Sequence, residues 1–234
     1  MVPVGSAVTG GWADDWKSTS LGELIALRRG HDLTRRQRRD GYVPVMGSAG
    51  QNGFHSQAIA PGPGVVLGRS GASFGQAHSS KVDYWPHNTA LYVTDFNGND
   101  HRFVYYLLSS IDFSSHNTGG AQQSLNRNFI ATIALSVPGY EEQCLIAGSL
   151  DDIGRLIGNL ECLIAKKQAI RQGMMQQLLT GKTRLLGFIE PWTDVRLGEV
   201  AQFGRGMGLP KSAVIASGQF PCIHYGELFT QYGA

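Results

Sequence analysis

Short hydrophobic runs, separated by turns rich in glycine, serine and asparagine, characterise the first 140 residues. The runs have the length and the valine, isoleucine and tyrosine content of β-strands, which predicts strands at 42–46, 65–67, 90–93 and 130–137. Ser20, with Glu23 three residues later, predicts a capped helix over 21–28, and the segment 102–110 predicts a second helix. This part of the chain should therefore fold as a mixed, sheet-rich domain.

The hydrophobic pattern changes after Pro138-Gly139. No proline occurs from residue 141 to 179, and apolar residues recur at alternating spacings of three and four, which indicates a heptad seam. Such a helix would be roughly 55 Å long. It cannot bury its seam alone and needs a partner helix from its own or another chain, and Thr180-Gly181 should end it. The dimerisation seam consists of Ile146, Leu150, Ile153, Ile157, Leu160, Ile164, Met174 and Leu178, with Lys167 and Arg171 as interruptions.

The third zone repeats the first at an offset of 176 residues. Trp16, Leu21-Gly22-Glu23-Leu24 and Arg29-Gly30 match Trp192, Leu197-Gly198-Glu199-Val200 and Arg205-Gly206. A long-period repeat of this kind indicates a duplicated structural unit. The second copy stops at Ala234, so we expect a truncated, half-length form. The predicted class is α+β, with a mixed, sheet-rich domain at 1–140, a long coiled-coil-forming helix at 141–186, and the partial start of a second such domain at 187–234.

Composition narrows the class of protein. The 234 residues can bury a real core, while a net charge of +2 decides nothing about partners. The local charge is more informative, because six arginines fall within twelve residues: Arg28, Arg29, Arg35, Arg36, Arg38 and Arg39. Three cysteines without a CxxC pair fit a reducing compartment. With no secretory signal pattern and no long apolar run, we expect a cytoplasmic protein with no membrane partner.

Catalytic motifs are not apparent. Gly181-Lys182-Thr183 resembles the end of a phosphate-binding loop, but Gln176 stands where that motif needs a glycine. The seven histidines do not have the spacing of a helical metal site. We therefore predict no catalytic residue, no metal, and a chain that is not itself an enzyme.

Several segments, in their order, resemble the DNA specificity subunit of type I restriction-modification systems, in a half-length form. The resemblance begins with Trp16, Leu-Gly-Glu-Leu, Arg-Gly and the Tyr-Val-Pro-Val of 42–45, and it extends over nearly the whole chain. The other segments that carry it are 65–75 (VVLGRSGASFG), 85–90 (WPHNTA), 119–126, 138–147 and 176–184 (QQLLTGKTR).

The resemblance implies a function and a set of partners. It implies that residues 1–140 are a target-recognition domain and that 187–234 are the partial start of a second one. Each such domain of that family reads one half of a split double-stranded DNA site. Methyltransferase subunits then methylate adenine with S-adenosylmethionine, and restriction subunits use ATP and Mg²⁺. It implies that those cofactors belong to the partner subunits and that this chain binds none. With the second unit cut short, we expect a homodimer of half-subunits whose helices pack antiparallel.

Planar, bidentate side chains read base edges in the major groove, arginine on guanine and asparagine or glutamine on adenine. Turns that carry such groups are the DNA-binding candidates, although each residue could instead contact phosphate or solvent. The candidates are Arg35, Arg36, Arg38, Arg39, Gln51, Asn52, Arg69, Ser70, Gln76, Lys81, Gln122, Gln123, Asn126 and Arg127.

Two other functions compete with DNA recognition. The chain could be an assembly partner or inhibitor that binds the methyltransferase through the long helix without reading DNA. It could also be an unrelated enzyme, although no motif favours that alternative. Only a DNA reader needs the basic turns, so their substitution distinguishes the first two functions.

Overall fold

The computed structural model describes residues 15–119, 123–206, 208–215 and 217. Its contacts divide the chain into two units, Met1–Lys166 and Lys167–Ala234. In chain order the elements are β1 (Lys17–Ser20), α1 (Leu21–Leu24), β2 (Ala26–Arg29), β3 (Val43–Gly47), β4 (Gly50–His55), β5 (Gly64–Gly68), β6 (Ala77–Ser80), β7 (Trp85–Pro86), β8 (Ala90–Asp95), α2 (His101–Ser110), α3 (Arg127–Ile130), β9 (Ala134–Val137), α4 (Tyr140–Leu178) and α5 (Leu197–Val200).

Three small sheets form the first unit. The central sheet is antiparallel in the order β2-β8-β5-β6. A second sheet, β4-β3-β7, contains an antiparallel hairpin and one parallel pair, and β1 pairs antiparallel with β9. The sequence predicted the central strands β5 and β8 and the inner hairpin strand β3 correctly to within one or two residues.

Two predicted elements end elsewhere than expected. The helix predicted over 21–28 ends at Leu24, because the residues after Ile25 pair with β8 as strand β2. The strand predicted over 130–137 begins only at Ala134, because Asn126 caps the short helix α3, which includes Ile130. In the first case pairing with a distant strand decides the conformation, and the local sequence does not contain that information. In the second case a local helix cap delays the start of the strand.

The main hydrophobic core lies between the central sheet and α2. Its buried side chains come from α1, β5, β8, α2 and the segment before β9, and the predicted helix at 102–110 is confirmed as α2. Asp100 begins α2, and its carboxylate accepts hydrogen bonds from the backbone N–H groups of Arg102 and Phe103. Burial alone would raise the pKa of Asp100, but these hydrogen bonds and the Arg102 charge outweigh it and lower the pKa.

A buried amide joins the long helix α4 to this domain. Gln143 is 2% exposed, and its Oε1 accepts a hydrogen bond from the N–H of Asp100 at 3.0 Å. Its Nε2 donates to the side-chain oxygen of Asn99 at 2.8 Å and to the carbonyl of Pro138 at 2.9 Å. One side chain therefore connects the start of α2, the turn before it and the end of β9.

Polar contacts continue this junction along the next two turns of α4. Asp151 accepts hydrogen bonds from the Tyr106 hydroxyl at 2.7 Å and from Arg102 at 3.3 Å. Ala147 and Ile146 pack against the domain core on the same side. The first three turns of α4 are thus part of the folded domain.

The rest of α4 is exposed. The helix predicted from the heptad pattern is confirmed over 39 residues, and it ends at a turn in which Gly181 has a φ of +71°. Within the seam, Ile146 packs on the core and Leu178 is half-buried, whereas the other six members are 37–56% exposed. Pairing through these residues stays a prediction.

The apolar face of α4 is wider than the predicted seam. Leu156, Leu163 and Ile170 recur every seven residues beside the seam and are also about half exposed. They form a third apolar column next to the two columns of the heptad seam.

The second unit has little buried surface among the residues described. In it, the Arg184 guanidinium lies 5.7 Å from the ring of Trp192, and α5 is a single short turn. The side chains of Leu197, Val200 and Phe203 are 65–74% exposed.

Replacing Gln143 with methionine should reduce the stability of the domain strongly. The change keeps the volume but leaves the Asp100 N–H and the Asn99 side-chain oxygen buried without their partners, which should lower the free energy of unfolding by about 2–4 kcal/mol. Chemical denaturation measures the effect. Gln168→Met, at an exposed position of the same helix, should cost well under 1 kcal/mol. Equal losses in the two variants would contradict the role assigned to Gln143.

The same substitution at two glycines should have opposite effects. A Cβ at Gly30 would overlap the backbone carbonyls of Pro86 and His87, whereas a Cβ at Gly158 in α4 would meet no atom within 4 Å. Gly30→Ala should therefore destabilise the domain by about 1–3 kcal/mol. Gly158→Ala should stabilise the helix by up to about 1 kcal/mol. Thermal unfolding monitored by circular dichroism measures both, and a stable Gly30→Ala protein would show that the close approach is wrong.

Candidate nucleic-acid interface

A turn rich in arginine lies against the outer strand of the β3–β4 hairpin. Thr34 fixes this turn, because its N–H and hydroxyl donate to the side-chain oxygen of Gln37 at 3.0 and 2.8 Å. Nη1 of Arg38 donates to the carbonyl of Asn52 at 2.8 Å, and the N–H of Arg39 donates to Nδ1 of His55 at 3.1 Å. Two residues predicted from separate stretches of sequence, Arg38 and Asn52, are therefore in direct contact.

The outer surface of this arrangement carries unpaired positive charge. Arg35, Arg36 and Arg39 are exposed, and none of the salt bridges among the described residues involves them or Arg38. The side chains of Gln51 and Asn52 are exposed on β4 beside them. Guanidinium groups that have no carboxylate partner suit contacts with the phosphates of a nucleic acid. Planar amides beside them suit contacts with base edges. We call residues 34–39 together with β4 the arginine face.

Two exposed aromatic side chains, Phe54 on the arginine face and Tyr42 beside it, were not predicted as site residues. Tyr42 is 96% exposed and Phe54 is 52% exposed, and with Asp40 and Gly41 they line one shallow hollow. Tyr42 had been assigned to a strand, but pairing begins only with Val43 opposite His55. The distinction between a buried strand tyrosine and one in open solvent depends on this register, which the local pattern does not reveal.

Histidines and aromatic residues form the layer beneath the hairpin. The rings of His55 and Trp85 meet edge to face at 5.0 Å, and Nε2 of His78 lies 3.1 Å from the carbonyl oxygen of Ser48. Burial and the nearby Arg38 charge lower the pKa of His87, with Asp32 opposing them. The depressed pKa favours a neutral His87, so the positive charge above it is that of the arginines.

Arg69 and Ser70 lie in a different place and are largely engaged. Nε of Arg69 donates to the carbonyl of Asn88 at 3.2 Å, and its carbonyl accepts from the N–H of Leu125 at 2.8 Å. Ser70 forms a β-bridge with Ser124. Burial first, and then the charge of Arg29, lowers the pKa of Arg69. These contacts fasten the loop after β5 to the segment before α3, which gives Arg69 a structural role, and a DNA contact by Arg69 stays a prediction.

The remaining candidate residues do not lie together in one place. Lys81 and Gln51 line one hollow of about 400 Å³ together with His78, so Lys81 lies near the arginine face. Gln76 and Gln123 are exposed, and Gln122 lies outside the described residues. The side-chain oxygen of Asn126 accepts a hydrogen bond from the N–H of Asn128 and so caps α3. Arg127 lines a separate hollow whose other walls include Leu21 and Gly22 of α1.

Two classes of site are not found in the part of the chain that the structure describes. No group of three or more histidine, cysteine, aspartate or glutamate residues there could hold a metal ion. None of the helices described is both long and apolar enough to cross a membrane.

Comparison with protein-family models identifies residues 13–167 as a type I restriction modification DNA specificity domain. The matched region includes the arginine face, the sheets, α2 and the first two thirds of α4. A curated relative is the type I restriction enzyme EcoprrI specificity subunit of Escherichia coli. It is 24% identical over 149 residues, which cover 62% of this chain and 37% of that protein.

Solved structures share the fold at low sequence identity. The type I restriction-modification S subunit from M. genitalium is 16% identical with a TM-score of 0.56, over 69% of this chain and 45% of that one. A chain from a study of complex assembly and conformational transition of the type I R-M system is 13% identical with a TM-score of 0.57, over 74% and 47%. The chain thus spans less than half the length of these relatives. Because the family model matches well over half of its residues, the chain belongs to the family of type I restriction-modification DNA specificity domains.

Proposed function

We propose that this chain is a sequence-specific DNA recognition subunit of a type I restriction-modification complex. In this function it directs adenine methyltransferase and restriction subunits to a split DNA site. The observation that carries the proposal is the arginine face, where exposed guanidinium groups without carboxylate partners are fixed to the edge of a hairpin. This face lies within the residues that match the specificity family.

The side chains of the arginine face have three roles. Arg35, Arg36 and Arg39 are exposed on long side chains and contact phosphates. The amides of Gln51 and Asn52 project from β4, which is narrow enough to approach base edges in the major groove. Arg38 positions the other groups, since its guanidinium already donates to the carbonyl of Asn52.

The helix α4 supports a homodimer of half-subunits. Six of the eight seam residues are at least 37% exposed, and a helix with such a face is stable only when it is covered. Two copies that pack antiparallel about a two-fold axis cover the seam and place two recognition domains at opposite ends. The dimer then reads two inverted half-sites.

Cofactors and catalytic steps belong to the partner subunits in this proposal. S-adenosylmethionine, and ATP with Mg²⁺, are bound by the methyltransferase and restriction subunits, and this chain supplies DNA contacts and the assembly surface of α4.

Charge removal from the arginine face should weaken DNA binding and reduce its salt dependence. We expect the triple variant Arg35→Gln, Arg36→Gln, Arg39→Gln to lower the slope of log K against log salt by about 0.9 for each phosphate that the protein no longer neutralises. Fluorescence anisotropy with a random-sequence duplex at several salt concentrations measures this slope. Arg38 is left intact because it holds the hairpin.

The matched control removes three positive charges elsewhere, by Arg155→Gln, Lys166→Gln and Lys182→Gln. It should leave the slope nearly unchanged. If both triple variants bind DNA as the unmodified chain does, the arginine face does not bind DNA. Retained binding to the methyltransferase in that case would favour an assembly partner that does not read DNA.

Charges in the seam of α4 should dissociate the dimer. Ile157→Glu with Ile164→Glu places four carboxylates in the seam of two paired helices, and we expect a monomer at micromolar concentration. Light scattering at two protein concentrations measures the mass. Leu145→Glu changes a residue that is 72% exposed on α4 but outside the seam, and it should leave the dimer intact. A monomeric unmodified chain would contradict the homodimer.

A further inference from the structure

The repeated segment of the sequence has a docking role in its first copy. Residues 16–30, which we call the docking segment, pair as β1 with β9 and bury Leu21 and Leu24 of α1 in the core. The N–H groups of Leu21 and Gly22 donate to the carbonyls of Ile133 and Ala131 at 2.9 and 3.0 Å. The surface that receives the docking segment is therefore formed by α3, β9 and the turn between them.

One glycine of the docking segment faces this surface closely. A Cβ at Gly22 would lie 3.0 Å from the Cβ of Ala131, so a side chain as large as valine there would push the segment away from its surface. A Cβ at Gly30 would instead overlap the backbone at His87, outside the α3–β9 surface.

The second copy, residues 192–206, shares the helical turn of the docking segment but forms no strand, and its side chains from Leu197 to Phe203 do not pack in a core among the residues described. In both copies a single helical turn ends with an N–H donating four residues back at 3.0 Å, from Ile25 to Leu21 and from Ala201 to Leu197. The apolar positions remain apolar and are exposed. Glycine is also retained at Gly198 and Gly206, although nothing lies within 4 Å of a Cβ at either position.

The receiving surface and the second copy adjoin opposite ends of α4 in chain order. Strand β9 ends at Val137, three residues before α4 begins, whereas Trp192 follows the end of α4 by 14 residues.

We propose that residues 192–206 dock on the α3–β9 surface of a second copy of this chain, in competition with that copy's own docking segment. The inference rests on the antiparallel dimer proposed above, in which the end of one α4 lies beside the start of the other. Val200 and Ala201 are smaller than Leu24 and Ile25, so the second copy is the weaker competitor. The exchanged form is therefore the minor one.

Disulfide trapping between two differently labelled chains tests the proposal. In the first copy Ser18 lies opposite Ser136, and both are exposed. The docked second copy would place Asp194 opposite Ser136, and facing Cα atoms in an antiparallel pair are within disulfide range. One chain carries Asp194→Cys and the other Ser136→Cys, both with Cys144, Cys162 and Cys222 changed to serine. They are mixed in oxidised glutathione, which accepts the two electrons of the new disulfide. The intrachain pair Ser18→Cys with Ser136→Cys is the positive control for pairing geometry.

We expect a cross-linked heterodimer. Ala201→Ile in the first chain restores a buried side chain and should raise the rate of cross-linking tenfold or more. Gly198→Val should abolish it. Gly204→Val is the matched control, since its counterpart in the docking segment is the exposed Arg28, and it should leave the rate unchanged.

The opposite results overturn the inference. Formation of no heterodimer while the positive control cross-links, or equal rates for Gly198→Val and Gly204→Val, shows that the second copy has no such surface. Light scattering on the same samples separates this failure from that of the dimer: a dimer without cross-links leaves the proposed pairing of α4 intact.

Discussion

The direction of α4 relative to the rest of the domain depends on the buried amide of Gln143. Without it, α4 would be attached to the domain by the backbone after Pro138, by apolar packing, and by the more exposed contacts of Asp151 with Tyr106 and Arg102. With its three hydrogen bonds, the helix has a fixed azimuth and direction relative to α2 and the central sheet. Over its first turns, α4 is therefore part of the same folded domain as the arginine face. In the proposed dimer, pairing through the seam would set the orientation of the arginine face.

Elements with a strong local period could be predicted from sequence, and those that depend on distant partners could not. The heptad spacing and the stop at Thr180-Gly181 predicted the ends of α4 closely, although the helical zone assigned to 141–186 extends eight residues beyond Leu178. The apolar run at 65–67 predicted β5. The helix predicted from Ser20 was too long, because β8 takes the residues after Ile25 into a strand. Membership of a specificity-domain family also confirms the expectation that this chain is not itself an enzyme.

For the candidate site as well, the sequence predicted the residue types but not the contacts that their side chains make. The arginine run was visible in the sequence, but the contact of Arg38 with the carbonyl of Asn52 joins two stretches 14 residues apart. Arg69 and Asn126 have residue types suited to DNA, yet their hydrogen bonds hold a loop and cap a helix. Residue type predicts what a side chain can bind, whereas long-range hydrogen bonds decide which side chains remain free to do so.

The third apolar column of α4 limits what two copies alone can achieve. A pair of helices that meet through the heptad seam covers two columns and leaves Leu156, Leu163 and Ile170 at the margin of the contact. The pair would then carry two such strips, one on each helix, and lateral self-association would increase with concentration and with salts that strengthen hydrophobic contacts. In the proposed dimer, the solubility of the isolated pair would therefore depend on whether another surface covers those two strips.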